Sequence, residues 1–335
     1  MSPSQQNRRF LLASRPHGEP TAANFRLDTV AVPQPEAGQL LLRTVYLSLD
    51  PYMRGRMSDA PSYAPPVEIG QVMVGGTVSR VVASQHPDFN VGDWVLGYDG
   101  WQDYALSDGS GLRNLGPHLP HPSRLLGVLG MPGFTAYMGL LDIGQPQAGE
   151  TLVVAAASGA VGSVVGQIGK LKGCRVVGIA GGADKCKFLI DELGFDGAID
   201  YKAEDVVAGL KRECPKGVDV YFDNVGGDIL DAVLSRLNMK ARVVICGAIS
   251  QYNNKEAVKG PANYLSLLVN RARMEGFVVM DYAAQFASAA QEMAGWMANG
   301  QLKSKEDVVE GLETFPETLM KLFNGENFGK LVLKV

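Results

Sequence analysis

The chain has 335 residues, 46% of them hydrophobic and 20% charged, with a net charge of −4. That length points to two domains with ample cores, and the charge gives no electrostatic reason to bind nucleic acid or an anionic membrane. Four cysteines, Cys174, Cys186, Cys214 and Cys246, form no CxxC pair, which fits a reducing compartment and speaks against a structural zinc site.

Near the N-terminus, Asn7-Arg-Arg-Phe-Leu-Leu12 has the outline of a twin-arginine signal. Arg15, His17 and Glu19 interrupt the apolar stretch that export needs, so a cytoplasmic protein is expected. Up to residue 122 the chain alternates short apolar runs with turn residues. Strands are expected over 39–46, 70–75, 77–82 and 93–96, forming a mostly β domain that closes or half-closes into a barrel. The proline-rich segment Gly116–Pro122 ends it. His118 and His121 have metal-ligand spacing, but the prolines around them favour a surface turn. Residues 125–141 carry no charge. They include Pro132 and fall short of the ~20 apolar residues a membrane span needs, so a buried helix pair around a turn is expected.

The stretch Glu150–Gly173 organises the second half. Thr151-Leu-Val-Val-Ala-Ala156 is an apolar run of strand length, followed by small residues at Ala157, Gly159 and Gly162. Val161, Val164, Val165, Ile168 and Leu171 then recur at helical spacing. Strand, small-residue turn and helix in that order suit a dinucleotide. Backbone can approach a pyrophosphate where side chains are absent, and a helix N-terminus offers N–H groups and a positive dipole end. Ser158 lacks the first glycine of a hydrolase nucleophile elbow, so acyl transfer is a poor reading.

From there strands and helices alternate: 175–179, 185–193, 198–200, 206–214, 218–223, 229–237 and 241–246. A further strand over 274–279 and a helix over 282–299 follow. The pattern predicts an α/β, doubly wound parallel sheet. The tail Asn327–Val335 reads as a strand with no helix after it, expected to return to the N-terminal domain.

An NAD site usually has a carboxylate at the end of the second strand, which here reads Ile179-Ala-Gly-Gly-Ala183. Asp184 comes next, where capping of the following helix is its expected role. Lys185 in the first turn opposes the helix dipole, which binding a 2′-phosphate would explain; a solvated surface lysine is the alternative. NADP is favoured.

With these residues in view, the chain resembles the zinc-independent medium-chain dehydrogenases/reductases. It is most similar there to the group of leukotriene B4 dehydrogenases, prostaglandin reductases and plant double-bond reductases that includes bacterial curcumin reductases. The carrying stretches are 47–54 (LSLDPYMR), 129–137 (LGMPGFTAY), 156–162 (AASGAVG), 223–227 (DNVGG), 246–252 (CGAISQY) and 325–330 (GENFGK). The resemblance implies a Rossmann NADP-binding domain over 123–302 and a GroES-like substrate domain from 1–122 and 303–335. It also implies NADPH-dependent reduction of the carbon–carbon double bond of α,β-unsaturated ketones and aldehydes, by a homodimer.

Residue by residue, the resemblance puts Ser158, Gly159, Ala160, Val161 and Gly162 on the pyrophosphate, and Lys185 with Tyr201 on the 2′-phosphate side. It assigns Asn224, Asn327 and Thr135 to the nicotinamide and its ribose. The same end is assigned to Cys246, Gly247, Ala248, Ile249, Ser250 and Tyr252, and to Phe277, Val278 and Val279. Tyr52, Tyr98 and Tyr252 face the substrate. The zinc-binding relatives need a cysteine early in the β domain and a Gly-His-Glu after it, where this chain reads Leu49-Asp50 and Gly70-Gln71-Val72. No catalytic zinc is expected, and conjugate reduction needs none. The expected chemistry is hydride transfer to the β-carbon, with the enolate oxygen met by a tyrosine or the cofactor ribose. Tyr252 is the first catalytic candidate and Tyr52 the second; packing is the competing role for each. Quinone reduction and a non-catalytic NADPH-binding protein are the rival readings.

Overall fold

The structure is a computed structural model that describes residues 6–335; residues 1–5, the start of the expected N-terminal domain, lie outside the described residues. It divides into two compact units. The first runs through Leu126 and takes in Glu306–Asn327 and Leu331–Val335; the second is Gly127–Lys305 with Phe328–Lys330.

The first unit begins with an antiparallel pair, β1 (Gln6–Leu12) and β2 (Phe25–Ala31). There follow β3 (Leu40–Ser48), the single turn α1 (Met53–Arg56), β4 (Thr77–Ser84), β5 (Trp94–Gly97), β6 (Tyr104–Ser107) and β7 (Arg113–Gly116). The expected strand over 70–75 is not one: only Val72 makes a bridge, to Leu11. Gly100 explains the interruption. At φ +78° it passes so close that a Cβ there would lie 2.3 Å from the Met73 carbonyl oxygen, and no regular ladder fits beside it. His118 and His121 are exposed, and His121 has a φ of 51°, in line with a surface turn. The helix pair expected over 125–141 is instead a 3-10 turn at Pro122–Leu126 and one helix, α2 (Met131–Met138), which widens into a π turn at Gly139–Gly144.

The second unit is the parallel sheet. Its elements are β8 (Thr151–Ala155), α3 (Gly162–Leu171), β9 (Arg175–Ala180), α4 (Ala183–Asp191), β10 (Gly197–Asp200) and α5 (Val206–Glu213). They continue with β11 (Val218–Asp223), α6 (Gly227–Leu234), β12 (Leu237–Ile245), α7 (Leu265–Asn270), β13 (Arg273–Gly276) and α8 (Phe286–Ala298). Strand order is β10-β9-β8-β11-β12-β13, so the chain reverses direction across the sheet after β10, a doubly wound Rossmann arrangement. All five residues of β8 are buried, as a central strand covered on both faces requires. Glycines let α3 lie flat on it: a Cβ at Gly166 would fall 1.9 Å from the Phe195 ring, and one at Gly169 2.4 Å from Leu152 Cδ2.

Several expected boundaries move. The helix expected over 229–237 stops at Leu234, and Leu237 opens β12 opposite Val218, because the apolar spacing runs on from helix into strand. The strand expected over 274–279 stops at Gly276, where the Phe277 ring turns away to pack against Gly139 and Phe222. The helix expected from 282 begins at Phe286, after a 3-10 stretch.

The chain closes in the first unit with β14 (Glu306–Glu310), α9 (Phe315–Phe323) and β15 (Lys330–Lys334). As expected, β15 returns to the N-terminal sheet, antiparallel to β3. The order there is β14-β15-β3-β4-β5-β7. One edge of β3 is shared, Leu40–Arg43 pairing with β6 and Tyr46–Ser48 with β15, so the sheet folds back as a GroES-like half-barrel. Its core is aromatic, with Trp101 and Phe315 fully buried and Phe25 5.2 Å from Trp101 between ring centroids. Among the described residues no helix is long and apolar enough to cross a membrane.

Candidate active site

In the second unit, the turn after β8 is fixed by its backbone. Ala156 sits at φ 48°, a left-handed conformation that costs a non-glycine residue energy and persists only where neighbours fix it. Here its carbonyl accepts the Gly159 N–H at 2.9 Å, and the Ala157 N–H donates to Ile179 O at 3.0 Å. A Cβ at Gly162 would lie 2.4 Å from Ala156 O and 2.9 Å from Ala157 Cα, so no larger residue fits. The N–H groups of Val161 and Gly162, at the start of α3, have no acceptor among the described residues. A side-chain-free turn with N–H groups to spare fits a pyrophosphate. Ser158 is buried, and its carbonyl is taken by the Gly329 N–H at 3.0 Å, while Gly159 and Gly329 form a parallel bridge. Gly329 itself is irreplaceable: at φ +76° its Cβ would be 2.2 Å from Lys305 O. Sequence reasoning quoted Gly329 within a motif but missed this buttress, since its partners are remote in the chain.

At the end of β9 the expected cap is corrected. Gly182 is the N-cap of α4, at φ 104°, and Asp184 is an exposed residue of the first turn. Lys185 is half-buried in that same turn. Tyr201 lies over Gly181, where a Cβ would meet its ring carbons and hydroxyl at about 2.8 Å, a fit the sequence did not reveal. The nearby Asp200 carboxylate is already engaged, accepting the N–H groups of Gly182 at 2.8 Å and Lys202 at 3.0 Å. Lys185 and the Tyr201 hydroxyl are therefore placed by neighbouring elements, with no carboxylate at the strand end to take a ribose 2′-hydroxyl.

Beyond β11, Asn224 donates its side-chain amide to Ala155 O at 2.8 Å. The loop 246–252 is laced to the turn beside it: Cys246 and Gly247 N–H groups donate to Asp223 O, Ile249 N–H to Asn224 O and Ser250 N–H to Val225 O. The Cys246 thiol is pushed up to about 12 by burial, so it is no nucleophile. Tyr252 curls back so that its hydroxyl accepts the Ala248 N–H at 3.2 Å, and a Cβ on Gly247 would stand 2.9 Å from that oxygen. Burial holds its pKa above the ordinary tyrosine value, against the opposing Ala248 bond. A hydroxyl that accepts a backbone N–H and keeps its proton is free to donate that proton to an oxygen.

Thr135, buried on α2, donates its hydroxyl to Met131 O at 2.7 Å and has lone pairs left over. The Phe277 ring is committed to packing, so only its main chain and that of Val278 can serve a ligand; Val279 is core.

In the first unit, Tyr52 begins the turn of α1 and its ring stacks on Tyr98, with centroids 6.3 Å apart and planes at 25°. The Tyr98 hydroxyl donates to that of Tyr52. Burial, then Asp50 and Tyr98, hold the Tyr52 phenol well above its usual range, and burial pushes Tyr98 up to about 12. The Tyr98 loop is clamped by Thr77, whose hydroxyl donates to Asp99 at 2.7 Å. Asp50 accepts the Ser48 hydroxyl, and Gln71 lies between turn and bridge. Among the described residues no group of three or more His, Cys, Asp or Glu side chains is placed to hold a metal ion. Asn327 belongs to this unit, in the segment before β15.

Two family models match, described as N-terminal domain of oxidoreductase over residues 8–115 and zinc-binding dehydrogenase over 160–295. The chain is 57% identical to the NADPH-dependent curcumin reductase of Escherichia coli (strain K12), over 99% of this chain and 97% of that protein. It belongs to the medium-chain dehydrogenase/reductase family. Within the medium-chain dehydrogenases/reductases it is also 42% identical to prostaglandin reductase 1 of Mus musculus, over 98% of this chain and 99% of that one. The crystal structure of CurA in complex with NADPH from Vibrio vulnificus is similar at 56% identity and a TM-score of 0.94, covering 98% of this chain and 99% of that one.

Proposed function

We propose that this chain is an NADPH-dependent reductase of the carbon–carbon double bond of α,β-unsaturated ketones and aldehydes. The observation that carries the proposal is 57% identity, essentially end to end, to an NADPH-dependent curcumin reductase. The side-chain-free turn at Gly159–Gly162 supports the cofactor half of the reading, and Lys185 with Tyr201 supports a 2′-phosphate. The Rossmann unit is the cofactor domain and the GroES-like unit the substrate domain.

When bound, NADPH supplies the hydride that adds to the β-carbon of the enone. The chain's own work is to hold the turn and loops that orient the cofactor, and to meet the charge that builds on the substrate oxygen. Tyr252 suits that duty, since its proton is retained and not already donated to a protein acceptor. Tyr52 and Tyr98 are two protonated phenols that share one hydrogen bond, which leaves the Tyr52 proton available for substrate. Thr135, Asn224, Asn327 and the main chain of 246–250, Phe277 and Val278 serve the nicotinamide end.

The protein works in the cytoplasm as a homodimer. Two features support self-association: β13 is an edge strand, and α7 exposes Leu265, Leu268 and Val269. An apolar face beside an open strand edge is costly to leave in water. Sedimentation of Leu268→Lys against the unaltered protein tests it, and an unaltered protein that sediments as a monomer overturns it.

The reaction is tested by NADPH oxidation with enones of graded size, from small aliphatic ketones to diaryl dienones. Product carrying deuterium at the β-carbon from 4-deuterated NADPH is expected. Turnover of quinones with none of the enones refutes the reading.

A further inference from the structure

Asp223 ends β11 with a carboxylate that is 1% exposed, one of the most deeply buried acids in the chain. Its Oδ1 accepts three bonds, from Tyr221 Oη at 2.8 Å and from the N–H groups of Val225 and Gly226, each at 2.9 Å. Its Oδ2 is also buried and has no partner among the described residues. Burying a carboxylate is expensive, and here burial holds its pKa above the ordinary value against all three donors. A fold that needed only to cap this turn could do so with a neutral side chain, so the acid's placement calls for a reason.

The reason lies in what the turn carries. Gly226 at φ +70° and Gly227 at φ +56° bring the chain back over the 246–252 loop, where a Cβ at Gly226 would stand 3.0 Å from Ala248 Cβ. The Asp223 carbonyl takes two N–H groups from that loop, and Asn224 and Val225 carbonyls take two more. The Asp223 side chain thus fixes the turn from within, by accepting the Val225 and Gly226 N–H groups. Asn224 is its immediate neighbour on that turn, with its side-chain amide on Ala155 O.

We propose that Asp223 is a positioning residue of the reductase, setting the Asn224 amide through the 223–227 turn. The proposal rests on the assignment of Asn224 to the cofactor's nicotinamide end. It predicts coupling. Asp223→Asn keeps the shape but turns charge-assisted bonds into neutral ones of about half the strength, so enone kcat/KM should fall roughly tenfold. In an Asn224→Ala background the same change should cost nothing further, because the residue it positions is gone. Tyr221→Phe, which removes one of three donors and keeps the fold's ring, should show a smaller loss, about threefold, with the same disappearance in the Asn224→Ala background.

The cycle is run twice, on kcat/KM for an enone and on the NADPH dissociation constant by fluorescence titration. Losses that vanish together in the Asn224→Ala background support the proposal. Losses that multiply, or an Asp223→Asn enzyme with unaltered turnover and NADPH affinity, overturn it. A merely structural Asp223 would lower the melting temperature and leave both constants of the folded protein unmoved. Should Asp223→Asn not fold, the Tyr221→Phe cycle decides on the same criteria. An unaltered enzyme that turns over no enone refutes the reductase reading instead, and the NADPH cycle still judges Asp223.

Discussion

Two glycines in the turn after β8 look equivalent in the sequence, and the structure makes them different. At Gly162 an added methyl would meet backbone on two sides, Ala156 O at 2.4 Å and Ala157 Cα at 2.9 Å, so neither neighbour can rotate out of the way. Restoring ordinary contact requires the start of α3 to move by about 1 Å, an overpacking that costs roughly 1–3 kcal/mol. For a unit of this size that is a fall of roughly 2–12 °C in melting temperature. The same shift carries the N–H groups of Val161 and Gly162 away from any bound phosphate. Losing two charge-assisted bonds at about 1.5–3 kcal/mol each would weaken NADPH by at least about 100-fold. At Gly159 the only contact within 4 Å is Ala156 O at 3.2 Å, which a small adjustment relieves. Gly159→Ala should therefore leave the melting temperature nearly unchanged and act only by intruding on the ligand. Differential scanning fluorimetry with and without NADPH, alongside a fluorescence titration, reads both quantities. A Gly162→Ala protein with unaltered melting temperature and unaltered NADPH affinity would refute the packing argument.

Lys185→Ala should weaken NADPH by about 1.5–3 kcal/mol while NADH hardly changes, and equal losses measured for the two cofactors would make Lys185 structural. Tyr252→Phe should lower kcat for enone reduction by about 10- to 100-fold with NADPH affinity unmoved, read with 4-deuterated cofactor so that slow product release is not mistaken for chemistry. The raised tyrosine pKa values set a sign for alkaline behaviour. Tyr98 keeps its proton up to about 12 in the fold, so its contribution to stability is whole below the unfolded value and is lost as pH rises through about 12. A Tyr98→Phe protein should lose less stability than the parent over that alkaline interval in denaturant titrations. Dialysis against a chelator should leave NADPH-dependent turnover intact, and a loss restored by zinc would contradict the side-chain inventory.

Much of this was legible because the signals were local. The run Thr151–Ala155, the small residues after it and the spacing of Val161–Leu171 lie within one stretch of chain, and they became β8, the turn and α3. The return of the tail to β3 was legible because Leu331–Leu333 is a short apolar run of strand length between two lysines. What stayed hidden depends on approach between remote segments. Gly100 against Met73 broke an otherwise convincing strand at 70–75, and no propensity records that distance. The continuous apolar spacing across Leu234 and Leu237 hid a helix end and a strand start. In the candidate site, residue types were readable but hydroxyl directions were not: Tyr252 toward Ala248 and Tyr98 toward Tyr52 follow from loop paths alone.

The short strap Phe328–Lys330 has a consequence for how this protein is made. Gly329 completes the turn at Ser158 and Gly159, yet the ribosome adds it long after that turn has been synthesised. At about 5–20 residues per second the interval is roughly 10–30 s, during which α3 can dock on β8 while the turn between them still lacks its buttress. The cofactor can therefore lend little to early folding of the parallel sheet, and its stabilisation arrives as a last step, together with the strand that completes the edge of β3. Removing residues from 328 onward would undo both at once, giving a chain whose helices and sheet could still form but which holds neither its nucleotide nor its last strand.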